Sequence, residues 1–139
     1  MQGYNVIAVF SPDRRETLMC KRVKDPYKGL YNMVGGKIKK GENGLDAAYR
    51  ELYEETGITR EDIKLVHLMD FSYPLDDCYV EVYAGRLKQN VTVRDEKNPL
   101  LWMTLDKNFF DMSLFAGEGN IGHIMEHIKI HSSEIFEQE

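Results

Sequence analysis

The chain has 139 residues, with 18 basic against 23 acidic side chains and a formal net charge of −5. A hydrophobic fraction of 42% and a charged fraction of 29% are ordinary for a folded protein, which argues against disorder, a collagen-like repeat or a disulfide miniprotein. The acidic balance disfavours a nucleic-acid polymer as the main partner, since duplex-binding proteins are normally basic. We therefore expect one domain over residues 1–139. The acidic balance does not exclude a small anionic substrate, because bound cations can invert the local charge.

Neither the apolar runs nor the cysteines indicate a membrane or an extracellular protein. No run approaches the roughly 20 residues that a membrane span needs, and the first ten residues lack the features of a secretory signal. Cys20 and Cys78 fit no metal or disulfide pattern. These features predict a cytoplasmic protein without a membrane partner, and they leave a monomer and a homodimer open.

Along the chain, period-two stretches predict strands and one long period-3.6 stretch predicts a helix. The predicted strands cover residues 4–11, 17–23, 31–34, 63–71, 79–87 and 101–105. The helix covers 43–56, with Asn43 as its N-cap, Leu45 on its apolar stripe and Gly57 as its stop signal. A charged loop covers 93–99, and a second amphipathic helix begins near Asn120. Strands and helices mix without strict alternation, so we predict an α+β fold whose mixed sheet is covered by helices on both faces.

The predicted helix carries a concentration of negative charge beside its apolar stripe. Glu51, Glu54 and Glu55 fall within about a 100° sector of the helix, where like charges repel. A hard divalent cation such as Mg²⁺ or Mn²⁺ relieves that repulsion, because it prefers carboxylate oxygens. A solvated acidic face is the simpler alternative. Arg50 cannot bind a metal, and its spacing to Glu54 predicts an ion pair that orients the carboxylates.

A glycine pair precedes the helix and completes a longer pattern. Gly35 and Gly36 allow the backbone to approach a ligand closely, and Lys37 can meet a phosphate. The stretch from Gly36 to Ile58 resembles the Nudix box, and all nine of its fixed positions are filled: Gly36, Glu42, Arg50, Glu51, Leu52, Glu54, Glu55, Gly57 and Ile58. This resemblance implies the Nudix fold, an α/β/α sandwich around a mixed sheet. It also implies a hydrolase that uses Mg²⁺ or Mn²⁺ to cleave a nucleoside diphosphate linked to another group.

The resemblance also implies roles for individual residues near the box. The implied metal ligands are the Gly36 carbonyl and the carboxylates of Glu51, Glu54, Glu55 and Glu96. Glu96 matches a loop carboxylate of MutT-like members of the family, and either Glu51 or Glu96 would be the general base. Arg50 would support catalysis by orienting the carboxylates.

Further positions resemble the substrate contacts of family members that hydrolyse oxidised purine nucleotides. Asn32 and Asn120 match residues that read the base, for which an amide with both donor and acceptor is suited. Arg22 resembles a phosphate-contacting residue. The alternatives are a helix N-cap for Asn120 and a salt-bridged strand end for Arg22. We therefore predict a MutT-like pyrophosphohydrolase of nucleoside triphosphates, with 8-oxo-dGTP as a candidate substrate.

Two other functions stay open at this point. Pro74 falls where ADP-ribose hydrolases of the family often carry a proline, although a proline in a turn has an ordinary structural explanation. A non-catalytic nucleotide-binding module is the second alternative, and the three retained glutamates argue against it. The histidine stripe of His123, His127 and His131 lacks a completing ligand, so we do not predict a zinc site there.

Overall fold

The computed structural model describes residues 1–136 and contains one mixed sheet with three α-helices. The strands are β1 (Gln2–Phe10), β2 (Glu16–Lys21), β3 (Tyr31–Asn32), β4 (Val66–Tyr73), β5 (Cys78–Arg86) and β6 (Leu100–Thr104). The helices are α1 (Gly44–Thr56), α2 (Asn120–Ile130) and α3 (Ser132–Phe136). The sheet order is β3-β2-β1-β5-β4, and β6 pairs with β2. β1 and β5 are parallel and the other strand pairs are antiparallel.

The two faces of the sheet carry separate cores, as an α/β/α sandwich requires. On β1, Ile7 and Val9 pack into the cluster beneath α1, whereas Ala8 and Phe10 pack into the cluster beneath α2 and α3. This alternation follows from the period of two along a strand. Full burial of each large apolar side chain contributes roughly 1.5–3 kcal/mol. The predicted mixed sheet with helices on both faces is therefore confirmed.

The strands β1 and β2 separate beyond their hairpin, and the segment 31–37 bridges them. Direct pairing of β1 with β2 is confined to Phe10 and Thr17. β3 pairs with the end of β2, and then Val34 pairs with Ile7 of β1. Of the strand predicted over 31–34, only two residues are regular strand, because the segment passes from one neighbour to the other. It carries the glycine pair to the face of β1 that α1 covers.

The ends of α1 agree with the cap chemistry of the sequence. Asn43 accepts hydrogen bonds from the N–H groups of Leu45 and Asp46, at 2.9 and 3.3 Å. Gly57 ends the helix with a left-handed φ of 84°. The placement of Leu45 on the buried apolar stripe is wrong, because Leu45 is 37% exposed. It lies in the first turn of α1, at the edge of the core beside Tyr83.

Several boundaries differ from the sequence prediction. β4 begins at Val66, since Ile63 makes only an isolated bridge to Leu87. Residues Pro74–Asp76 form a 3-10 helix between β4 and β5, and α3 was not predicted. Gly119, not Asn120, is the N-cap of α2, so the N-cap alternative for Asn120 is wrong. In the described part of the chain, no helix has the length and apolar character to cross a membrane.

Candidate active site

The guanidinium of Arg50 connects the glycine loop to three carboxylates. Its Nε and Nη2 donate to Glu42 at 2.7 and 2.9 Å, and its Nη1 donates to Glu51 at 2.9 Å and to Glu54 at 3.1 Å. Nη2 also donates to the Lys37 carbonyl at 3.0 Å. The hydrogen bond from Arg50 lowers the pKa of Glu42 to about 2, and the same pairing raises the pKa of Arg50. The predicted ion pair between Arg50 and Glu54 is confirmed.

The three glutamates of α1 lie at different depths. Glu51 is 6% exposed, and its Oε2 is buried without a hydrogen-bond partner among the described residues. Glu55 is half-buried and accepts the Gly35 N–H at 3.0 Å. Burial raises the pKa of Glu55, and the nearby charge of Glu51 adds to the rise. Glu54 is exposed, so the carboxylates form a series from the core to solvent.

The loop backbone and Glu51 form a cradle that fits a hard divalent cation. A Cβ added to Gly36 would lie 2.3 Å from Oε2 of Glu51, so only glycine allows this approach. Carbonyl and carboxylate oxygens are the donors that Mg²⁺ and Mn²⁺ prefer. Within residues 1–136 no group of three or more His, Cys, Asp or Glu side chains already forms a metal site.

Glu96 is not brought to the α1 carboxylates. It is exposed, and Nε of Arg94 donates to it at 2.9 Å. Lys97 lies nearer to the cluster, since it lines a small recess together with Glu55. The charges of Lys97 and Arg22 oppose the rise in the pKa of Glu55. Sequence reasoning missed Lys97, because a lysine in a charged loop gives no spacing signal.

The predicted phosphate contacts, Arg22 and Lys37, border the same region. Arg22 follows β2 and donates from Nε to the Pro26 carbonyl at 2.9 Å. It forms no ion pair with a carboxylate of residues 1–136, so the salt-bridge alternative is wrong for this part of the chain. Lys37 follows the glycine pair and is exposed. Neither cation is paired with a carboxylate within residues 1–136. Both therefore remain able to meet an anionic ligand.

A cavity of about 420 Å³ adjoins this region, and Asn32 and Asn120 both line it. These two residues are far apart in the sequence, and both line the cavity because Tyr31 of β3 pairs with Phe115 shortly before α2 begins. The apolar part of the lining comes mainly from the sheet and α2: Val6, Phe71, Val80, Ile121 and Ile124. A cavity of this size is within the range of small-molecule pockets.

Polar contacts cross the mouth of this cavity. Nδ2 of Asn120 donates to the Tyr73 hydroxyl, which links α2 to the end of β4. The Tyr27 hydroxyl donates to Glu118 at 2.5 and 2.8 Å, and burial together with Glu118 raises the pKa of Tyr27 to about 12. Oδ1 of Asn32 accepts the Met33 N–H at 2.8 Å. Tyr27 and Glu118 were missed from the sequence, since they belong to loops without periodicity.

The family relationship follows from comparison with known proteins. The model described as "NUDIX domain" matches residues 1–121, so the chain belongs to the NUDIX domain family. It is 28% identical over 107 residues to the oxidized purine nucleoside triphosphate hydrolase of Mus musculus, covering 75% of this chain and 67% of that protein. The matches to three other curated relatives cover only 20% to 36% of those proteins' lengths.

Two solved structures illustrate the shared fold. MutT, described for Aliivibrio salmonicida and Vibrio cholerae, matches with a TM-score of 0.72 at 21% identity, covering 93% of this chain and 98% of that one. A bifunctional NMN adenylyltransferase/ADP ribose pyrophosphatase of Francisella tularensis, complexed with AMP and a Mn ion, has a TM-score of 0.72 at 20% identity. That match covers 94% of this chain and 41% of that one. The predicted α+β Nudix fold and the MutT-like resemblance are confirmed.

Proposed function

We propose that this chain is a MutT-like pyrophosphohydrolase that cleaves a nucleoside triphosphate to the monophosphate and pyrophosphate. An oxidised purine nucleotide such as 8-oxo-dGTP is the candidate substrate. One observation carries the proposal: the short segment 32–36 has Asn32 in the cavity at one end and Gly36 against Glu51 at the other. A nucleotide can therefore place its base in the cavity and its phosphates beside the glutamates.

Mg²⁺ or Mn²⁺ would be held by the oxygens that sequence reasoning selected: the Gly36 carbonyl, Glu51, Glu54 and Glu55, with Glu96 joining from its loop. The bound cation would offset phosphate charge and lower the pKa of an attacking water. Support for this site comes from the donor set and from the unpartnered Oε2 of Glu51. The Francisella tularensis enzyme with the same fold is complexed with AMP and a Mn ion, which agrees with this cation class.

The side chains around the cation sites have separate tasks. Arg50 keeps the carboxylates oriented through its hydrogen bonds, and it touches no reacting atom. Lys37 and Arg22 meet phosphate oxygens. The proton of the attacking water passes to Glu51 or to Glu96. Glu51 is already fixed beside the glycine loop by Arg50. Glu96 must break its hydrogen bond with Arg94 to reach the attacking water.

The cavity lining supports a purine base. The amides of Asn32 and Asn120 each offer a donor and an acceptor to a base edge, and the nearby Glu118 offers only acceptors. Guanine-type edges carry N–H donors that such acceptors recognise. The resemblance to oxidised-purine enzymes, and the mouse relative with that activity, agree with this selection.

The test is a substrate panel with Mg²⁺ that includes 8-oxo-dGTP, dGTP, dCTP and ADP-ribose, with products separated by anion-exchange chromatography. We expect the highest kcat/KM for an oxidised guanine triphosphate, with release of pyrophosphate. Preference for ADP-ribose, with release of AMP and ribose phosphate, would refute the proposed nucleoside triphosphate substrate and favour an ADP-ribose hydrolase. Pro74 does not support that alternative, because it occupies the start of a 3-10 helix, where proline is favoured.

A further inference from the structure

An asparagine lies where the β1 strand should be apolar. Asn5 is 2% exposed and shares its face of β1 with Ile7 and Val9, which pack beneath α1. Burying a side-chain amide among apolar groups is unfavourable unless its hydrogen bonds are satisfied. Asn5 lies far outside the 36–58 motif, so the family pattern gives it no role.

Asn5 holds Gly36 at two points. Its backbone N–H donates to the Gly36 carbonyl at 2.8 Å, and its side-chain Oδ1 accepts the Gly36 N–H at 3.0 Å. Any residue except proline can make the first bond at position 5, but only a side-chain acceptor can make the second. Because the Gly36 N–H requires an acceptor, the amide oxygen must face the loop, and Nδ2 is directed elsewhere.

Two buried polar side-chain atoms lack partners among the described residues, and both belong to side chains that contact Gly36. They are Nδ2 of Asn5, a donor, and Oε2 of Glu51, an acceptor. Buried unpartnered atoms are rare in folded proteins, and two of complementary type at one loop indicate a place where a polar ligand binds. A single water molecule can both accept from Asn5 and donate to Glu51.

We propose that Asn5 is a positioning residue of the metal site. It fixes the Gly36 backbone beside Glu51 through its Oδ1, and its Nδ2 holds a water that Glu51 also binds. This inference rests on the proposed cation-binding function. It adds to the metal site a residue from outside the Nudix box. Asn5 acts through Gly36 and Glu51 and touches neither cation nor substrate.

The test compares Mn²⁺ affinity, measured without substrate by electron paramagnetic resonance of free Mn²⁺, in wild type and three variants. Asn5→Leu has similar volume and no hydrogen-bonding groups, so we expect its Kd to rise roughly 10- to 100-fold, as for other losses of support around metal ligands. Asn5→Asp keeps the acceptor for the Gly36 N–H but replaces the Nδ2 donor with an oxygen, so we expect its Kd to rise by less than that of Asn5→Leu. Thr17→Val is the matched control: Thr17 is fully buried and donates to the Val9 carbonyl at 3.1 Å, and its loss should leave the Kd unchanged.

The outcomes separate the positioning role of Asn5 from the proposed function. Wild-type affinity in Asn5→Leu overturns the positioning role and leaves the proposed function intact. An equal loss in Thr17→Val also overturns it, because the effect then reflects general packing. If circular dichroism shows that Asn5→Leu is unfolded, Asn5→Asp decides, and a wild-type Kd in that folded variant contradicts the proposal. A wild-type protein that binds no Mn²⁺ overturns both the proposed function and the role of Asn5.

Discussion

Replacing Arg50 with lysine keeps the positive charge and removes the planar guanidinium. Arg50 makes five hydrogen bonds, to Glu42, Glu51, Glu54 and the Lys37 carbonyl. An ammonium group has three donors on one atom, so at least two of these bonds must be lost. A hydrogen bond to a charged group contributes roughly 1.5–3 kcal/mol. Because Arg50 is partly exposed, we take the lower value, and two lost bonds amount to about 3 kcal/mol. If all of this support is lost in the transition state, kcat falls by about 100-fold, which is the upper bound.

The assay is kcat for a nucleoside triphosphate with saturating Mg²⁺, with circular dichroism to check the fold. We expect Arg50→Lys to lose roughly 10- to 100-fold in kcat, since the carboxylates lose their orientation. Arg60→Lys is the control: Arg60 pairs with Asp46 and stacks on Tyr49, away from the glutamates. Wild-type kcat in Arg50→Lys, or an equal loss in Arg60→Lys, would refute the orienting role.

Three further predictions concern Glu42, Glu96 and Asn120. The folded-state pKa of Glu42 is depressed from 4.5 to about 2, so its ion pair with Arg50 stabilises the fold above about pH 4.5 and less as pH falls toward 2. The difference in Tm between wild type and Glu42→Gln should therefore be constant near pH 7 and shrink below pH 4.5; a gap as large at pH 2.5 as at pH 7 contradicts the pairing. Glu96→Gln should lower kcat much more than it raises KM if Glu96 is the base, whereas unchanged kcat would leave Glu51 in that role. Asn120→Ala should lower kcat/KM for 8-oxo-dGTP by roughly 10- to 100-fold, from about 1–3 kcal/mol of lost base recognition, and should change dCTP hydrolysis far less. A uniform loss for both substrates would refute a base-reading role.

The helix that carries the glutamates could be predicted because its signals are local. The Asn43 cap, the Gly57 stop and the period of apolar residues all lie within the helix or beside it. The same periodicity misplaced Leu45, because a pattern cannot tell where the underlying core ends. The pairing of Arg50 with Glu54 was predictable from a spacing of four residues.

The remainder of the site depends on contacts between distant segments. Asn5 meets Gly36 only because β1 and β2 separate and admit the segment 31–37, and no sequence period encodes that separation. Tyr27 and Glu118 are ninety-one residues apart and meet across the cavity mouth. Such contacts follow from the topology of the sheet, so the sequence gives their residue types without their partners.

The central claim is that a cation bound by the α1 carboxylates carries the hydrolysis. Its most direct test is turnover of 8-oxo-dGTP by wild type and Glu54→Gln, with Mg²⁺ and with excess EDTA, and with Glu126→Gln of α2 as the control. A bound cation supplies several kcal/mol of charge stabilisation, so Glu54→Gln should lose at least about 100-fold in kcat while Glu126→Gln retains it. Wild type should be inactive in EDTA and recover on addition of Mg²⁺. Full activity in EDTA, or wild-type turnover by Glu54→Gln, would contradict the account.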